Sequence, residues 1–291
     1  MKNRSSHFSK KLISIAAFLF LLTPLTQSQD INNEDWIQIF NGKDIDNWKI
    51  KFNGYELGDN YKNTFVAEDG MIRVKYDNYD TFSNQFGHLF YEQPFSYYRL
   101  RIQYRFIGDQ VPDGPGWAFR NNGIMMHSQS PESMGLSQDF PISIEVQLLG
   151  GNGKDERSTL NLCTPGTHVT YNDELLTQHC FNSKSKTYHG DQWVNAEITI
   201  LGDSIIHHVI ENDTILTYTN PVIGGGNVDG HDEVVKIDGQ LLSEGYIAIQ
   251  AESHSTDFRK IELLNLKGCM DPKARNYKAY YLKGDRSECV Y

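Results

Sequence analysis

Turn dipeptides punctuate this chain at short intervals, and they constrain its folding more than any other feature. Asn41-Gly42, Asn53-Gly54, Asp69-Gly70, Asn122-Gly123 and Asp238-Gly239 separate short runs of alternating character. Such dipeptides supply the left-handed backbone that tight turns need, so they mark the ends of strands. The runs between them include Met71 to Lys75, Tyr98 to Phe106, Ile142 to Leu149, Ala196 to Leu201, Ile205 to Ile210 and Tyr246 to Ala251. No long segment keeps a helical period, which excludes a helix-rich α/β fold. The pattern predicts an all-β chain, a jelly-roll β-sandwich of two antiparallel sheets. The 16 Tyr and 15 Phe suit that reading, because aromatic side chains favour strands.

The first residues read as something other than fold. Lys2, Arg4, Lys10 and Lys11 precede an apolar run, Leu12 to Leu22, and a small polar stretch ends at Ser28. Residues 1–28 therefore read as a secretory signal peptide, too short to span a bilayer, followed by a linker over 29–35. The expected localisation is exported, in the periplasm or at the cell exterior, with no membrane span. With 37 acidic against 27 basic side chains, the net charge is −10. A nucleic-acid partner is excluded on that balance, since phosphate binding needs a surplus of lysine and arginine.

Export changes the reading of the four cysteines. Cys163 and Cys180 are close in sequence, as are Cys269 and Cys289, so two local disulfides are the natural pairing among three connectivities. Each would add roughly 3 kcal/mol by restricting the unfolded chain. A zinc site lacks the short Cys-x-x-Cys spacing that would support it.

Three strands alternate in a way that bears on function. Arg99 to Phe106 places Arg99, Arg101, Gln103 and Arg105 on one face, Ile144 to Leu148 places Glu145 and Gln147, and Ile249 to His254 places Gln250, Glu252 and His254. Period-2 geometry keeps each set on one side of its sheet. A solvated outer face explains any one of them. Side by side they would form a polar concave surface able to pair with sugar hydroxyls. The stretch from Gly150 to Trp193 is long for a connection and carries a cysteine pair with His168, His179 and His189, which suits a lid or a functional loop.

Several chemistries are missing from the sequence. It has no nucleophile elbow, no Walker loop, no dinucleotide fingerprint and no His-Glu-x-x-His. Sandwich glycosidases often set carboxylates on one strand as Glu-x-Asp-x-x-Glu. Here Glu145 fills the first position, Gln147 the middle and Gly150 the last. A retaining mechanism needs two carboxyls about 5 Å apart, and this strand supplies one.

Separated motifs in a fixed order resemble one family. They are Trp36 to Asp44 with Trp48, Asn122-Gly123-Ile124, Glu145 to Gly150, Leu162 to Thr167, Lys186 to Val194, Gly245 to Gln250, and His254 with Phe258-Arg259-Lys260-Ile261. This set is similar to the 3-keto-disaccharide hydrolase family, also described as 3-keto-glucoside lyase/hydratase. The resemblance spans about residues 36–266. It implies a concanavalin A-like jelly roll over 36–267, a substrate that is a glycoside or disaccharide already oxidised at C3, and an upstream C3 sugar oxidoreductase that supplies it. Lys260 departs from the family's Phe-Arg-Asn-Ile ending. Residues 268–291 resemble small Gly-Cys-x-Asp-Pro-x-Ala-x-Asn-Tyr…Cys-x-Tyr modules of exported bacterial proteins and read as a disulfide-clipped appendage. Asp271 and Asp285 are weak calcium candidates there.

A C3 ketone acidifies the C2 proton, so one base suffices to expel the C1 oxygen by β-elimination, and water can add back. Glu145 is the expected base, with Gln147 beside it on sugar hydroxyls. His127 and His254 are expected as acid or enolate stabiliser. Alternatively Glu145, His127 and His254 hold a divalent metal ion, the one cofactor these residues suggest. Arg105, Gln250, Glu252 and Trp117 complete the expected substrate-binding set, while Arg259 reads as a structural ion pair. Two readings compete with the keto-glycoside enzyme: a non-catalytic lectin-like module, and a conventional glycoside hydrolase. A structural envelope protein is a third, if the C-terminal clip is an attachment element.

Overall fold

The computed structural model describes residues 32–291, so the signal-peptide expectation for 1–28 and the start of the linker lie outside the described residues. Those residues form strands and four short 3-10 turns, with no α-helix among them. No helix among them is long and apolar enough to cross a membrane. Two antiparallel sheets carry the fold, one of ten strands and one of seven. The expected concanavalin A-like jelly-roll sandwich is present.

Alternation builds the interior. In Tyr97–Gln110 the side chains of Tyr98, Leu100, Ile102, Tyr104 and Phe106 are buried, and the residues between them are partly exposed. They meet Ile124, Met126, Ile144, Val146, Leu148, Ile247 and Ile249 from the seven-stranded sheet in one continuous core. Each such side chain contributes roughly 1.5–3 kcal/mol by leaving water. The hydroxyl of buried Tyr104 shares a 2.6 Å hydrogen bond with Thr159 Oγ1.

The other face of the ten-stranded sheet is the solvated outer face. There Arg101 Nε donates to Glu197 at 2.6 Å, and Arg105 pairs with Asp257 at 2.8 Å. Guanidinium groups also stack on indoles, Arg101 over Trp36 and Arg259 over Trp193, each at 3.9 Å. The expected ion pair for Arg259 is thus replaced by ring stacking and a hydrogen bond to Gln103 at 2.8 Å.

The seven-stranded sheet is different, because both of its faces are buried. Its order is Cys180–Phe181, Asn161–Cys163, Ile144–Leu149, Asn121–Ser128, Tyr246–Ala251, Gly87–Tyr91 and Trp48–Phe52. All eight residues of Asn121–Ser128 and all five of Gly87–Tyr91 are buried. One face packs on the core. Over part of the other, Met134 packs on Phe90, Met125 and Ala248, and Phe140 lies edge-on to His88.

Both disulfides are formed as expected. Cys163–Cys180 joins residues directly opposite each other on adjacent strands, and Cys269–Cys289 clips the C-terminal segment. The long stretch after Gly150 is not a free loop. It folds into four strands that extend both sheets at one edge. In the appendage, Asp271 accepts from Tyr291 and from the Lys273 amide, while Asp285 pairs with Lys267 and caps Ser287. Both carboxylates are engaged by protein groups, and no cation cluster forms there among the described residues.

Lys260 sits at a bulge in His254–Asn265 with φ +51. A left-handed residue costs an L side chain about 1–2 kcal/mol, and asparagine bears that conformation better than lysine. This accounts physically for an asparagine at that place. Lys260→Asn should raise stability by about 0.5–1 kcal/mol, measured by equilibrium urea unfolding, because it relieves the strain and removes no buried contact.

Candidate active site

The second face of the seven-stranded sheet supplies the floor of the site. Glu145 and Gln147 alternate with the core residues Ile144, Val146 and Leu148, so they point away from the core. Register puts Glu145 opposite Met125 on one side and Cys163 on the other, and Gln147 opposite Gly123 and Asn161. Gly123 is required for space. A Cβ there would lie 2.5 Å from Glu145 Oε1, so the carboxyl group rests over the missing side chain.

Glu252 and Ser253 form the two-residue corner where the chain leaves Tyr246–Ala251 and enters His254–Asn265 in the other sheet. Ser253 turns with φ +84, and its amide donates to Tyr76 Oη at 2.8 Å. The corner sets Glu252 beside Glu145 at the pocket floor. Gln250, buried on the adjoining strand, donates to Glu252 Oε1 at 3.4 Å. Asn161 donates to Gln147 Oε1 at 3.1 Å, which leaves the Gln147 amide nitrogen as the group available to a ligand.

Above this floor is a pocket of about 450 Å³. Its walls include Trp117, Asn121, Asp139, His179, Asp229 and the Cys163–Cys180 disulfide. Trp117 is 57% exposed and lies parallel to Phe86, with ring centroids 6.2 Å apart, so a flat aromatic face stands at the mouth.

Burial dominates the electrostatics. Glu145 is pushed up to about 8 by loss of solvent. Glu252 is raised well above the ordinary carboxylate range, first by burial and then by the charge of Glu145. Two desolvated carboxyls in one pocket titrate as a pair, and their joint behaviour is one proton held tightly and a second released only near or above neutrality. His179 in the wall is lowered by burial, which leaves it a neutral imidazole at pH 7.

The expected histidines do not join this site. His127 stands at a bulge with φ +47, which turns its ring off the pocket face; Nε2 meets the Gly202 carbonyl at 3.1 Å, and Tyr98 of the core lies edge-on. His254 follows the Ser253 corner and packs edge-on against Phe106 and Phe119 inside the sandwich. Burial lowers both to about 4. Arg105 is also displaced, being on the outer face of the opposite sheet in its ion pair with Asp257. Glu145, His127 and His254 therefore form no common metal set. Among the described residues the one cluster of three such groups is Cys163, His179 and Cys180, and its two sulfurs are bonded to each other.

Glu145, Gln147, Glu252 and Trp117 are brought together around the pocket, with Gln250 beneath Glu252. Sequence reasoning missed Asn121, Asp139 and Asp229, and it noted His179 only as part of a stapled loop. Nothing local marks them. His88, also missed, lies opposite Gln250 with neither ring nitrogen bonded, and burial drives it to about 3.

A sequence model of the 3-keto-alpha-glucoside-1,2-lyase-like domain matches residues 35–264. No curated protein sequence matches the chain. Among solved structures, two candidate glycosyl hydrolases from Parabacteroides distasonis ATCC 8503 are similar in fold. One is 16% identical with a TM-score of 0.48, covering 79% of this chain and 93% of its own. The other is 13% identical with a TM-score of 0.47, covering 79% and 99%. A Bacillus subtilis protein of unknown function with a galectin-like fold is 11% identical with a TM-score of 0.42, covering 80% and 97%.

The raised Glu145 has a consequence for stability. Folding opposes its ionisation and the unfolded chain does not, so stability falls as pH rises from the ordinary glutamate range towards 8. Glu145→Gln removes that cost. The variant should be more stable than the parent by about 1–3 kcal/mol at pH 8 and equal to it near pH 4, as read from thermal unfolding at the two pH values.

Proposed function

The chain belongs to the 3-keto-alpha-glucoside-1,2-lyase-like domain family, a carbohydrate-active family, and on that premise we propose that it cleaves 3-keto-glycosides by β-elimination. The observation that carries the reading is the buried Glu145–Glu252 carboxyl pair at the floor of a pocket with an aromatic mouth. The two carboxyls titrate as a pair that holds one proton when the other is lost; in this reading Glu145, on the strand at the pocket floor, is the base and Glu252 carries the proton.

Glu145 removes the C2 proton, which the C3 ketone has acidified. The electron pair forms the C1–C2 double bond, the C1–O bond breaks, and Glu252 delivers its proton to the departing oxygen. Water then adds at C1, the β-carbon of the resulting enone. Glu252 takes a proton from that water while Glu145 returns one to C2, so both carboxyls end as they began and the net reaction is hydrolysis. The Gln147 amide nitrogen serves the sugar hydroxyls or the developing enolate oxygen. Trp117 offers its face to the apolar side of a sugar ring.

The substrate must come from a reaction that oxidises a glycoside at C3, which places a sugar oxidoreductase upstream. An exported enzyme fits two disulfides, since such bonds persist in oxidising compartments, and fits the leader-like residues 1–28. One observation favours a second reading. Glu252 supplies, from the corner that follows Tyr246–Ala251, the second carboxyl that Gly150 does not, so ordinary glycosidase chemistry regains a pair of acids.

Substrate and variants separate the two. The 3-keto-glucoside should be turned over while the unoxidised glycoside is inert; rapid cleavage of the unoxidised sugar would favour the second reading. Glu145→Gln should lower kcat by about 10² to 10⁴ on the keto substrate. In the parent enzyme kcat/KM should rise with pH as Glu145 ionises, with an apparent pKa above the usual glutamate range. Gly123→Ala should also fall sharply in kcat, because the new methyl group displaces the Glu145 carboxyl. A lectin-like module would bind sugar and catalyse neither reaction.

A further inference from the structure

The charged inventory of the pocket is one-sided. Its lining carries four carboxyl groups, on Asp139, Glu145, Asp229 and Glu252, and neither lysine nor arginine. Asp139 and Asp229 are tied together on one wall: Asp139 Oδ1 accepts from the Asp229 amide at 2.8 Å and from the Phe140 amide at 2.7 Å, and the Asp139 amide donates to the Asp229 carbonyl at 3.2 Å. Those bonds occupy Asp139 Oδ1 and hold the backbone of Asp229 beside it. At the floor, Asn121 is 2% exposed and Glu252 3% exposed, and both line the pocket. Asn121 Oδ1 and Glu252 Oε2 are buried there with no hydrogen-bond partner. A buried acceptor without a donor is costly, so a ligand that donates to Asn121 Oδ1 recovers that cost, while Glu252 Oε2, with Oε1 accepting from Gln250, is the oxygen left to carry the proton.

We infer that the pocket is a charge filter, admitting keto-glycosides that present hydroxyl or ammonium donors and rejecting those that carry a carboxylate, sulfate or phosphate. This rests on the keto-glycoside reading and names the substrate class within it. Hydroxyl groups can donate to Asn121 Oδ1 and can also accept, whereas an anionic substituent brings only acceptors to a wall of carboxyl groups. The Asp139–Asp229 wall adds like-charge repulsion, which gives specificity rather than affinity. An ammonium group meets the opposite situation.

Three 3-keto-glucosides of similar size test the filter, with 2-hydroxyethyl, 2-aminoethyl and carboxymethyl aglycones assayed on the parent protein at one ionic strength. The expected order in kcat/KM is aminoethyl at or above hydroxyethyl, with carboxymethyl lower by about 100-fold. The double variant Asp139→Asn with Asp229→Asn, which keeps the Oδ1 acceptor, should narrow the gap between carboxymethyl and hydroxyethyl by about tenfold. Equal rates on all three substrates would overturn the filter and leave the keto-glycoside reading standing. Turnover of none would overturn both. A variant that leaves the gap unchanged would remove the Asp139–Asp229 wall as its cause.

Discussion

A sheet buried on both faces governs this molecule. In most sandwiches each sheet packs one face on the core and shows the other to water, as the ten-stranded sheet does here with Arg99, Arg101, Gln103 and Arg105. The seven-stranded sheet packs its core face in the same way, but the segment containing Met134 and Phe140 closes over part of the other. Polar side chains on that second face are therefore out of water. Glu145, Gln250, His88 and Asn121 have few places to find hydrogen bonds, and burial shifts Glu145, Glu252 and His88 away from their charged forms. Carboxyls that hold their protons tightly follow from the packing, before any substrate is considered.

In the proposed reading the arrangement trades stability for chemistry. Carboxyls kept neutral in the fold oppose ionisation, and a site that must ionise one of them works against its own surroundings. Gly123 contributes to the same end by giving up a side chain in a central strand to make room for the Glu145 carboxyl. The Cys163–Cys180 bond secures the strand pair beside Glu145 and next to His179. The edge of the sheet is thus fixed covalently where the pocket wall needs a defined position.

How much of this could be read from the sequence depends on how local the cause is. The strands, the two disulfides and the outward phase of Glu145 and Gln147 follow from alternation and spacing within a few residues. His127 and His254 stand away from the Glu145 pocket because single left-handed residues, His127 itself and Ser253, reset the phase of the strands they begin or end. Arg105 has the right phase and the wrong sheet, since alternation gives a face but not which sheet carries it. Glu252 was visible as a polar position, but its meeting with Glu145 comes from a strand order that no short motif encodes. Asp139, Asp229 and His179 arrive from three separate connections.

The central claim is that cleavage begins with loss of the C2 proton to Glu145. A 3-keto-glucoside carrying deuterium at C2, compared with its protonated form, tests this most directly. The account predicts slower turnover of the deuterated substrate and loss of the label from C2 to solvent. Equal rates, with the deuterium fully retained at C2 of the released keto-sugar, would contradict it.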